Sequence, residues 1–536
     1  MKRPAVGTRL TSPFVLVGVV MLVGVLLRLR GVTWGLPYVY DPDEHFLVDP
    51  AVGFVTTGDL NPHSFFYPGS TIMYTLGLAY FVYWIVGHVA GWFPDLQSVG
   101  QLFASNPTSF YLVARILAIV LATLSIPLVY LLGRRMAGNG AALAAATFVA
   151  VSPLHVDYSR VVRTDPLMTT FILAAMLCAV KAMDGPSGRE FLFTGLFIGL
   201  ATATKFPGIS GAIIPVIAVG LVNTPPPVSW ATRARWLGVA LLGSLIGFFV
   251  AAPFVVSGIR EVYWVLLGEG GRMHLSATGS RGLPNYLWYL KGPLRQAVGW
   301  PLELMALLGF VVSCRVRSRP RLLLMSFPLL FFLGIGMTLK RWDRWIVPLI
   351  PFVALLAAIG LERAVQALVW FRSRPVAQDV AVLALGLALV LPSVSEGLQR
   401  GGTTSDSRDI AKVWIEGHVP KGSKLAVEQY TPPVSRSEYR VFVVVRGELE
   451  RDTTTRGYKG VLADVKVLDA LRVQGIEYVV VSDYLDRFQA ERASYPDEVR
   501  FYEELFRASD MLYELKPVGR TKGPLIRVLK LRLRGD

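Results

Sequence analysis

The runs of apolar residues constrain the fold of this chain more than any other feature. A helix of roughly 20 apolar residues spans a bilayer, and runs of about that length recur up to residue 395. Eleven such runs lie at 13–31, 109–133, 137–157, 166–183, 190–204, 208–222, 236–257, 296–313, 322–339, 345–362 and 377–395. With 53% hydrophobic and only 17% charged residues, the sequence predicts a polytopic α-helical membrane protein.

Basic residues predict which loops face the cytoplasm. The net charge is +16, but the Lys and Arg are spread among loops, as the positive-inside rule produces, so we do not expect nucleic-acid binding. Basic groups at 134–135, 233–235, 315–321 and 363–374 are expected inside. Loops 32–67, 158–165 and 258–295, and the region after about 396, then fall outside. These assignments of loops to the two sides of the membrane agree with one another only if the apolar segment 68–92 lies along or dips into the membrane without crossing it.

The composition changes near the end of the last apolar run. Short helical and strand-like patterns alternate after this point, which predicts a small soluble, extracytoplasmic α/β domain over 399–536. Residues 1–398 are then the transmembrane domain, with external loops at 32–67 and 258–295. The first run has no small-residue cleavage site after it, so we expect a retained anchor. Cys178 and Cys314 lie in apolar runs and offer neither a disulfide framework nor a Cys-rich metal site.

An acidic motif follows the first apolar run and places Asp41, Asp43 and Glu44 within four residues of one another beside the membrane. Helix capping explains part of it, because Asp41 can be an N-cap, Pro42 suits the first helical position and Glu44 completes a capping box. Capping does not explain Asp43. We therefore interpret the motif as the acidic centre of a membrane-embedded active site, with Asp43 as its least replaceable member.

A second group of ionisable residues lies between the apolar runs 137–157 and 166–183. It contains His155, Asp157, Arg160, Arg163 and Asp165. Asp165 followed by Pro again resembles a helix N-cap, which would need no charged companions. Charged groups at membrane depth usually line a functional cavity, so we predict that this group contributes substrate-binding residues.

Basic and aromatic residues in other external segments are further candidates for binding. Arg341 and Arg344 flank Trp342, where the alternatives are snorkelling membrane anchors or a clamp for an anionic lipid headgroup. Lys205, between two short apolar runs, is a weaker candidate of the same kind.

Two external loops supply the remaining candidates. His63 and Tyr67 belong to a Pro-bounded turn that also suits the membrane interface. His274 lies in the 258–295 loop, which either acts as a lid or is an ordinary structured loop.

The absence of several well-known motifs argues against several classes of function for this protein. The sequence has no Walker A, His-Glu-x-x-His, Gly-x-Ser-x-Gly or dinucleotide-binding motif, which argues against an ATP-driven pump, a zinc protease and a serine hydrolase. The competing class is a secondary transporter or channel whose carboxylates bind ions or protons. Against it stand the lack of a detectable inverted repeat and the concentration of charge in loops.

Taken together, the motifs resemble the polyprenyl-phosphate-dependent glycosyltransferases of the C superfamily (GT-C). The likeness is to the bacterial protein-mannosyltransferase-like branch (family 39), related to protein O-mannosyltransferases and to the aminoarabinose transferase that modifies lipid A. It rests on these segments: the acidic motif, Asn61-Pro-His-Ser-Phe-Phe-Tyr-Pro68, Ser152–Asp165, Ala203-Thr-Lys-Phe-Pro207 and Arg341-Trp-Asp-Arg-Trp-Ile-Val-Pro348. The resemblance implies about 11–13 transmembrane helices, with juxtamembrane helices in the first external loop.

The resemblance also implies a chemistry and its residues. A sugar would pass with inversion from a polyprenyl-phosphate donor to an acceptor protein, lipid or glycan at the outer face of the cell membrane. Asp43 would be the general base, with Glu44 beside it and Asp165 as the second acid. The family's Lys before the Pro of the first loop is absent, since Tyr67 stands there. Lys205, Arg341 and Arg344 are then the candidates for the donor phosphate. A bound divalent cation stays open, as do the sugar and the acceptor.

Overall fold

The computed structural model describes residues 13–532 except 66–68, 186, 225–226, 272–273, 402–404, 446, 453–459, 466–467 and 520. The described residues divide into two compact units. The first contains the residues up to 273 together with 279–401, and the second contains 274–278 together with the residues from 402. Each unit is described separately below.

The secondary-structure elements described for the first unit are helices, which turns and loops connect. Its helices are α1 (Pro13–Leu29), α2 (His45–Thr57), α3 (Ser70–Val89), α4 (Leu96–Ser105), α5 (Thr108–Thr123), α6 (Ser125–Gly133), α7 (Asn139–Val151), α8 (Pro153–Ser159), α9 (Thr164–Asp184), α10 (Gly188–Thr204), α11 (Ile213–Leu221), α12 (Trp230–Ala251), α13 (Ile259–Gly271), α14 (Leu283–Tyr289), α15 (Arg295–Val298), α16 (Trp300–Val316), α17 (Arg319–Gly336), α18 (Ile350–Ala367), α19 (Val369–Arg372) and α20 (Pro375–Gly401). Short 3-10 turns at Phe206–Ala212, Pro253–Val256 and Asp343–Leu349 and a π turn at Leu290–Leu294 interrupt them.

The described helices agree with the prediction of a multi-pass membrane protein. Seven helical stretches are long and apolar enough to cross a membrane: Ser70–Val89, Thr108–Gly133, Thr164–Asp184, Trp230–Ala251, Arg319–Gly336, Asp343–Ala367 and Pro375–Gly401. The number rises to nine if two bent helix pairs, α7 with α8 and α14–α15 with α16, each count as one span.

This number is smaller than the eleven apolar runs because some runs are bent and others form short helices. The α7–α8 pair bends by 55° and the α14–α16 pair by 108°, while α1 and α10 have 17 residues each. Ser70–Val89 meets the length and hydropathy requirements for a span. The non-crossing course expected for segment 68–92 therefore stays a prediction.

Small residues allow some of these helices to pack backbone to backbone. Gly195 and Gly199 of α10 face the backbone of α12, where a Cβ at either position would overlap the Ala240 or Ser244 carbonyl. Gly243 and Gly247 of α12 face α10 in the same way. Such small-xxx-small spacing is typical of helix pairs in membranes, since lipid offers no hydrophobic driving force between helices. The α10–α12 pair thereby fixes the helix that ends just before Lys205.

The second unit is built around a six-stranded mixed sheet with the order β4-β3-β2-β5-β8-β6. Strand β2 is parallel to β3 and β5, and the other pairs are antiparallel. Its strands are β1 (Ser405–Asp406), β2 (Lys424–Val427), β3 (Arg440–Val445), β4 (Glu448–Arg451), β5 (Tyr478–Val481), β6 (Ser509–Leu515), β7 (Thr521–Lys522) and β8 (Ile526–Leu531), and its helices are α21 (Ser407–His418), α22 (Leu468–Val473), α23 (Tyr484–Ala490) and α24 (Pro496–Arg507). A 3-10 turn at Leu462–Val465 precedes α22, and β1 pairs with β7 apart from the main sheet.

The central strands of this sheet are covered on both faces. Along β5, Val479 and Val481 join one apolar cluster, while Tyr478 and Val480 join the cluster on the opposite face. This alternation follows from the two-residue period of a strand, and burial on both sides explains why the sequence of β5 is continuously apolar. The predicted α/β character is confirmed. The strands β6 and β8 were not predicted.

Candidate active site

The acidic motif forms a turn that leads into α2, not the first turn of that helix. The Asp43 amide donates to Asp41 Oδ1 at 2.9 Å, so the Asp41 side chain closes a local turn over residues 41–44. Helix α2 begins at His45, and Glu44, the residue before it, makes no capping hydrogen bond with its side chain. The predicted capping box is therefore wrong, because Glu44 has stronger partners elsewhere.

Glu44 is buried in an ion pair with Arg115 of α5. Arg115 Nε donates to Oε1 at 2.9 Å and Nη2 donates to Oε2 at 2.6 Å, and the Val162 amide donates to Oε1 at 2.9 Å. The other guanidinium nitrogen of Arg115 donates to the carbonyls of Val32 and Trp34. Burial raises the pKa of the Glu44 carboxyl, and the Arg115 guanidinium opposes that rise. This arrangement joins the acidic motif and the segment at Val162 to α5.

Asp43 lies between two guanidinium groups. Arg163 and Arg344 both form ion pairs with Asp43 Oδ2, and Arg163 Nη2 also donates to Asp41 Oδ2 at 2.7 Å. The side chain of Asp43 is 18% exposed, whereas those of Asp41 and Arg163 are less than 10% exposed. Asp43 is thus the most accessible carboxylate of the motif, and it faces two cations that favour its charged form.

A second acid–base pair lies beside the first. Asp165, in the first turn of α9, accepts a bond from Lys205 Nζ at 2.7 Å on Oδ1. Its other oxygen, Oδ2, is buried and has no hydrogen-bond partner among the described residues. The helix starts one residue earlier, at Thr164, so the predicted N-cap role of Asp165 is wrong. Burial lowers the pKa of Lys205, the Asp165 carboxylate raises it, and the charges of Arg344 and Arg163 lower it further.

Tyr158 of α8 connects the two pairs. Its hydroxyl donates to Asp343 Oδ1 at 2.7 Å, and the same oxygen accepts the Arg344 amide at 2.8 Å. The carboxylates of Asp343 and Asp165 and the guanidinium group of Arg344 all interact electrostatically with the Tyr158 hydroxyl. We call these residues the acid–base cluster: Asp41, Asp43, Tyr158, Arg163, Asp165, Lys205, Asp343 and Arg344. The cluster thus brings carboxylates and cations from four separate parts of the sequence next to one another.

An apolar cavity of the membrane unit reaches this cluster. Side chains of α3, α5, α8 and α9 line it, including those of Leu76, Leu117 and Leu121. Tyr158 and Arg163 are among its few polar lining residues, and both belong to the acid–base cluster. The cavity therefore places a hydrocarbon-compatible surface next to the cationic groups.

Several predicted site residues make their contacts outside this cluster. His155 is buried and its Nδ1 lies 2.9 Å from Arg28 Nη2. Arg160 pairs with Asp157 at 3.4 Å, and Asp157 in turn accepts a bond from Arg400.

The other candidates lie in loops. The His63 ring, 69% exposed, pairs with Asp59 four residues earlier. Arg341 lies over the ring of Trp288, with 5.0 Å from its Cζ to the ring centroid. His274 groups with the second unit, and Tyr67 lies outside the described residues.

Arg115 was missed by the sequence reasoning, although a signal for it exists. It is the only charged residue in the apolar run 109–133, and a charge at that depth requires a partner. Asp343 likewise follows Trp342 in the basic segment and was treated as part of a membrane anchor. Nothing in the sequence says that these residues meet Glu44 and Tyr158.

The carboxylates of this region do not form a ready metal site. Four of them face an ammonium or a guanidinium group: Asp41 and Asp43 face Arg163, Glu44 faces Arg115, and Asp165 faces Lys205. Over the residues that the structure describes, no three His, Cys, Asp or Glu side chains are grouped so that they could hold a metal ion.

Comparison with known sequences connects the middle of the chain to glycosyltransferases. Residues 96–256 match the family model described as dolichyl-phosphate-mannose-protein mannosyltransferase. The undecaprenyl phosphate-alpha-4-amino-4-deoxy-L-arabinose arabinosyl transferase of Pseudomonas paraeruginosa is 30% identical over 196 residues. That match covers 35% of this chain and 33% of the relative, so the chain matches about a third of the relative's length.

Comparison with solved structures extends the likeness to nearly the whole chain. The structure of ArnT from Cupriavidus metallidurans bound to undecaprenyl phosphate gives a TM-score of 0.53 and covers 96% of this chain and 97% of that one, at 15% identity. Over nearly its whole length, this chain therefore has a fold similar to that of ArnT.

A second solved structure supports the same fold. The apo oligosaccharyltransferase of Archaeoglobus fulgidus gives a TM-score of 0.54 at 13% identity and covers 96% of this chain and 74% of that one. At these identities the structural likeness concerns the fold, and it confirms the predicted GT-C architecture. The family match contains Arg163, Asp165 and Lys205, whereas Asp43 and Arg344 lie outside it.

Proposed function

We propose that this GT-C protein transfers a sugar from a polyprenyl-phosphate donor to an acceptor at the extracytoplasmic face of the cell membrane. The observation that carries the proposal is the acid–base cluster, in which the accessible carboxylate of Asp43 lies between the guanidinium groups of Arg163 and Arg344 beside an apolar cavity. The relatives named above support the donor class, because their names specify undecaprenyl or dolichyl phosphate.

The cations of the cluster suit the phosphate of such a donor. Charge develops on the phosphate as the glycosidic bond breaks, and fixed cations in a partly buried site stabilise it strongly. Arg163 and Arg344 offer planar donor pairs for phosphate oxygens, and Lys205 adds a compact charge. The apolar cavity between α3, α5, α8 and α9 places a hydrocarbon-compatible surface beside these cations. Arg341, which lies on Trp288, is less suited to this role.

Asp43 is the group that we assign as general base. In the structure both Arg163 and Arg344 stabilise its charge, which weakens it as a base. A donor phosphate that competes for Arg344 would release one carboxylate oxygen. Donor binding would therefore precede activation of the acceptor, and only the donor complex would hold a competent base.

The proposed reaction is a single inverting displacement. The acceptor hydroxyl or amine forms a bond to the anomeric carbon while the bond from that carbon to the phosphate oxygen breaks. The electron pair of the broken bond goes to the lipid phosphate, and the acceptor proton goes to Asp43. General base catalysis of this kind contributes roughly 10²–10⁴-fold in rate. Asp165, which holds Lys205, orients that lysine toward the phosphate.

Glu44 has a different role in this account. Its two oxygens accept three hydrogen bonds from Arg115 and Val162, and it is fully buried. We therefore assign it to positioning the acidic loop and not to the chemistry. The acceptor remains one of three classes, a protein, a lipid or a glycan.

The test is transfer by the purified protein. Incubation with a radiolabelled polyprenyl-phosphate sugar and a membrane extract should move the label to an acceptor, and Asp43→Asn should abolish this transfer. Asp59→Asn is the matched control, because Asp59 is an exposed carboxylate of the same external loop whose partner is His63. If the intact protein transfers no sugar from any polyprenyl-phosphate donor and instead conducts ions in liposomes, the transporter class is correct and this proposal is wrong.

A further inference from the structure

A second group of cations lies in the first unit, where α1, α8 and α20 pack against one another. Arg28 belongs to the last turn of α1 and Arg30 follows that helix, Arg160 follows α8, and Arg400 lies in the last turn of α20. Arg28, Arg30 and Arg400 each interact electrostatically with Arg160. We call these four residues the arginine group. None of them belongs to the acid–base cluster.

Arg160 is buried without a hydrogen bond. Its side chain is 5% exposed, and its three guanidinium nitrogens are buried with no hydrogen-bond partner among the described residues. It forms an ion pair with Asp157, in which 3.4 Å separates Nη1 from Oδ1, longer than the usual charge-assisted hydrogen bond. A buried guanidinium group that has lost water without gaining hydrogen bonds is costly. Arg160 therefore needs a reason beyond packing.

Arg28 shows how the protein satisfies a buried guanidinium group by itself. This side chain donates to the carbonyl oxygens of Gly24 at 2.8 Å and Ala150 at 2.9 Å, and to His155 Nδ1 at 2.9 Å. Helix C-termini attract cations through such carbonyl groups. No carbonyl oxygen of the described residues accepts a hydrogen bond from Arg160. Interaction with a helix end therefore explains Arg28 but not Arg160.

The carboxylates beside the arginine group do not balance its charge. Asp157 Oδ2 accepts a hydrogen bond from Arg400 at 2.8 Å, and Glu396 also pairs with Arg400. Four positive charges against these two negative ones leave a net charge of +2. A phosphate monoester carries about −1.5 to −2 at pH 7 and presents three acceptor oxygens. It fits both this charge and the planar donor pairs of arginine better than a carboxylate, which has one charge and two oxygens.

We propose that Arg160, together with Arg30 and Arg400, forms an anion-binding site for a phosphate group, which belongs to a membrane lipid or is free in solution. The phosphate replaces the Asp157 carboxylate as the partner of Arg160 and Arg400. Asp157 and Arg400 form the accessible edge of the site, since their side chains are 27% and 28% exposed. The inference does not depend on sugar transfer, because phosphate binding is measured without a sugar donor.

The first test measures the binding of radiolabelled inorganic phosphate to the full-length protein in an uncharged detergent. Arg160→Met should weaken this binding about 10- to 100-fold, the size of effect expected when hydrogen bonds to a charged group are lost. Arg160→Lys keeps the charge but loses the planar donor pair, so its affinity should lie between those of the wild type and Arg160→Met. If Arg160→Met does not fold, Arg160→Lys still decides, and wild-type affinity in that variant would then overturn the proposal.

A second test distinguishes the two sources of the phosphate group. The Tm of the protein is followed in mixed micelles that contain phosphatidic acid, a lipid phosphomonoester, or phosphatidylcholine. A ligand that binds the folded state raises the Tm. A rise with phosphatidic acid alone, lost in Arg160→Met, supports a lipid headgroup as the occupant. Binding of inorganic phosphate that depends on Arg160, without such a rise, supports free phosphate.

Two further variants serve as controls. Arg281→Met is matched to Arg160→Met, because Arg281 is an exposed arginine of the same unit outside the arginine group, and it should bind phosphate as the wild type does. Lys205→Met separates the site from the acid–base cluster, whose cations can also bind phosphate, and should keep the phosphate that Arg160 binds.

Three results would overturn the proposal. The wild type could bind neither probe, or a folded Arg160→Met could bind with wild-type affinity. Binding could also fall equally in Arg160→Met and Lys205→Met, and the phosphate would then occupy the acid–base cluster. Failure of sugar transfer by the wild type would contradict the proposed function but would leave the outcome of these binding tests unchanged.

Discussion

The buried pair of Glu44 and Arg115 permits the most quantitative prediction. Both side chains are 0% exposed, so removal of one partner leaves a charge without compensation in a site that water does not reach. Breaking a buried ion pair in this way costs about 3–5 kcal/mol. Since whole domains are stable by only about 5–15 kcal/mol, Arg115→Met should remove a large part of the free energy of unfolding.

The double variant separates the charge from the packing. Glu44→Gln combined with Arg115→Met leaves no charge at either position, and the side-chain amide oxygen introduced at position 44 can still accept the Val162 amide. We therefore expect the double variant to be more stable than Arg115→Met alone, although it contains one more substitution. The assay is thermal and denaturant unfolding of the detergent-solubilised protein, followed by donor binding on the folded fraction.

The same series decides whether Glu44 takes part in the reaction. If Glu44 only positions the loop, activity should fall in proportion to the folded fraction. A Glu44→Gln variant that is as stable as the wild type but transfers no sugar would refute the reasoning, and would show that Glu44 belongs to the chemistry, as the family resemblance first implied.

Two further predictions concern single residues. Lys205→Met should raise the donor KM about 10- to 100-fold, because a hydrogen bond to a charged group contributes about 1.5–3 kcal/mol. Steady-state kinetics over a range of donor concentrations measures this KM, and an unchanged value would contradict the assignment of Lys205 to the donor phosphate. Burial raises the pKa of Glu428 from 4.5 to about 7, so the folded C-terminal unit binds more protons than the unfolded one between these values. The contribution of Glu428 to the stability of this unit should therefore be greatest below pH 4.5 and should fall by on the order of 3 kcal/mol as the pH rises through 7. Glu428→Gln should flatten this dependence of stability on pH. Hydrogen exchange of the β2 and β5 amides, corrected for intrinsic rates, would detect the change, and a variant with the wild-type slope would contradict the prediction.

The fold could be predicted well from the sequence because its signals are local. A membrane-length apolar run must form a helix, because every backbone N–H and C=O group within the bilayer needs a hydrogen-bond partner from the protein. The apolar run at β5 and the charged, amphipathic pattern of α24 similarly identify a strand and a helix. The predicted number of spans was less secure, because a bend such as that between α7 and α8 does not change the hydropathy of a run.

The candidate site was only partly predictable, because its contacts are not local. Asp43 and Asp165 could be selected from the sequence, because helix capping alone does not fully explain the presence of these two acids. However, Asp43 and Arg344 are 301 positions apart in the sequence, and no local pattern connects them. At Glu44 a local rule was misleading: the residue has the spacing of a capping box, but a buried guanidinium 71 positions away binds it instead.

The role of Asp43 is tested most directly by measuring donor binding and transfer on one preparation of Asp43→Asn. We expect the variant to bind a radiolabelled polyprenyl-phosphate sugar at least as tightly as the wild type, because Asp43 no longer competes with the phosphate for Arg163 and Arg344. We also expect the bound sugar to be transferred about 10²–10⁴-fold more slowly. Transfer by Asp43→Asn at the wild-type rate would show that Asp43 is not the general base.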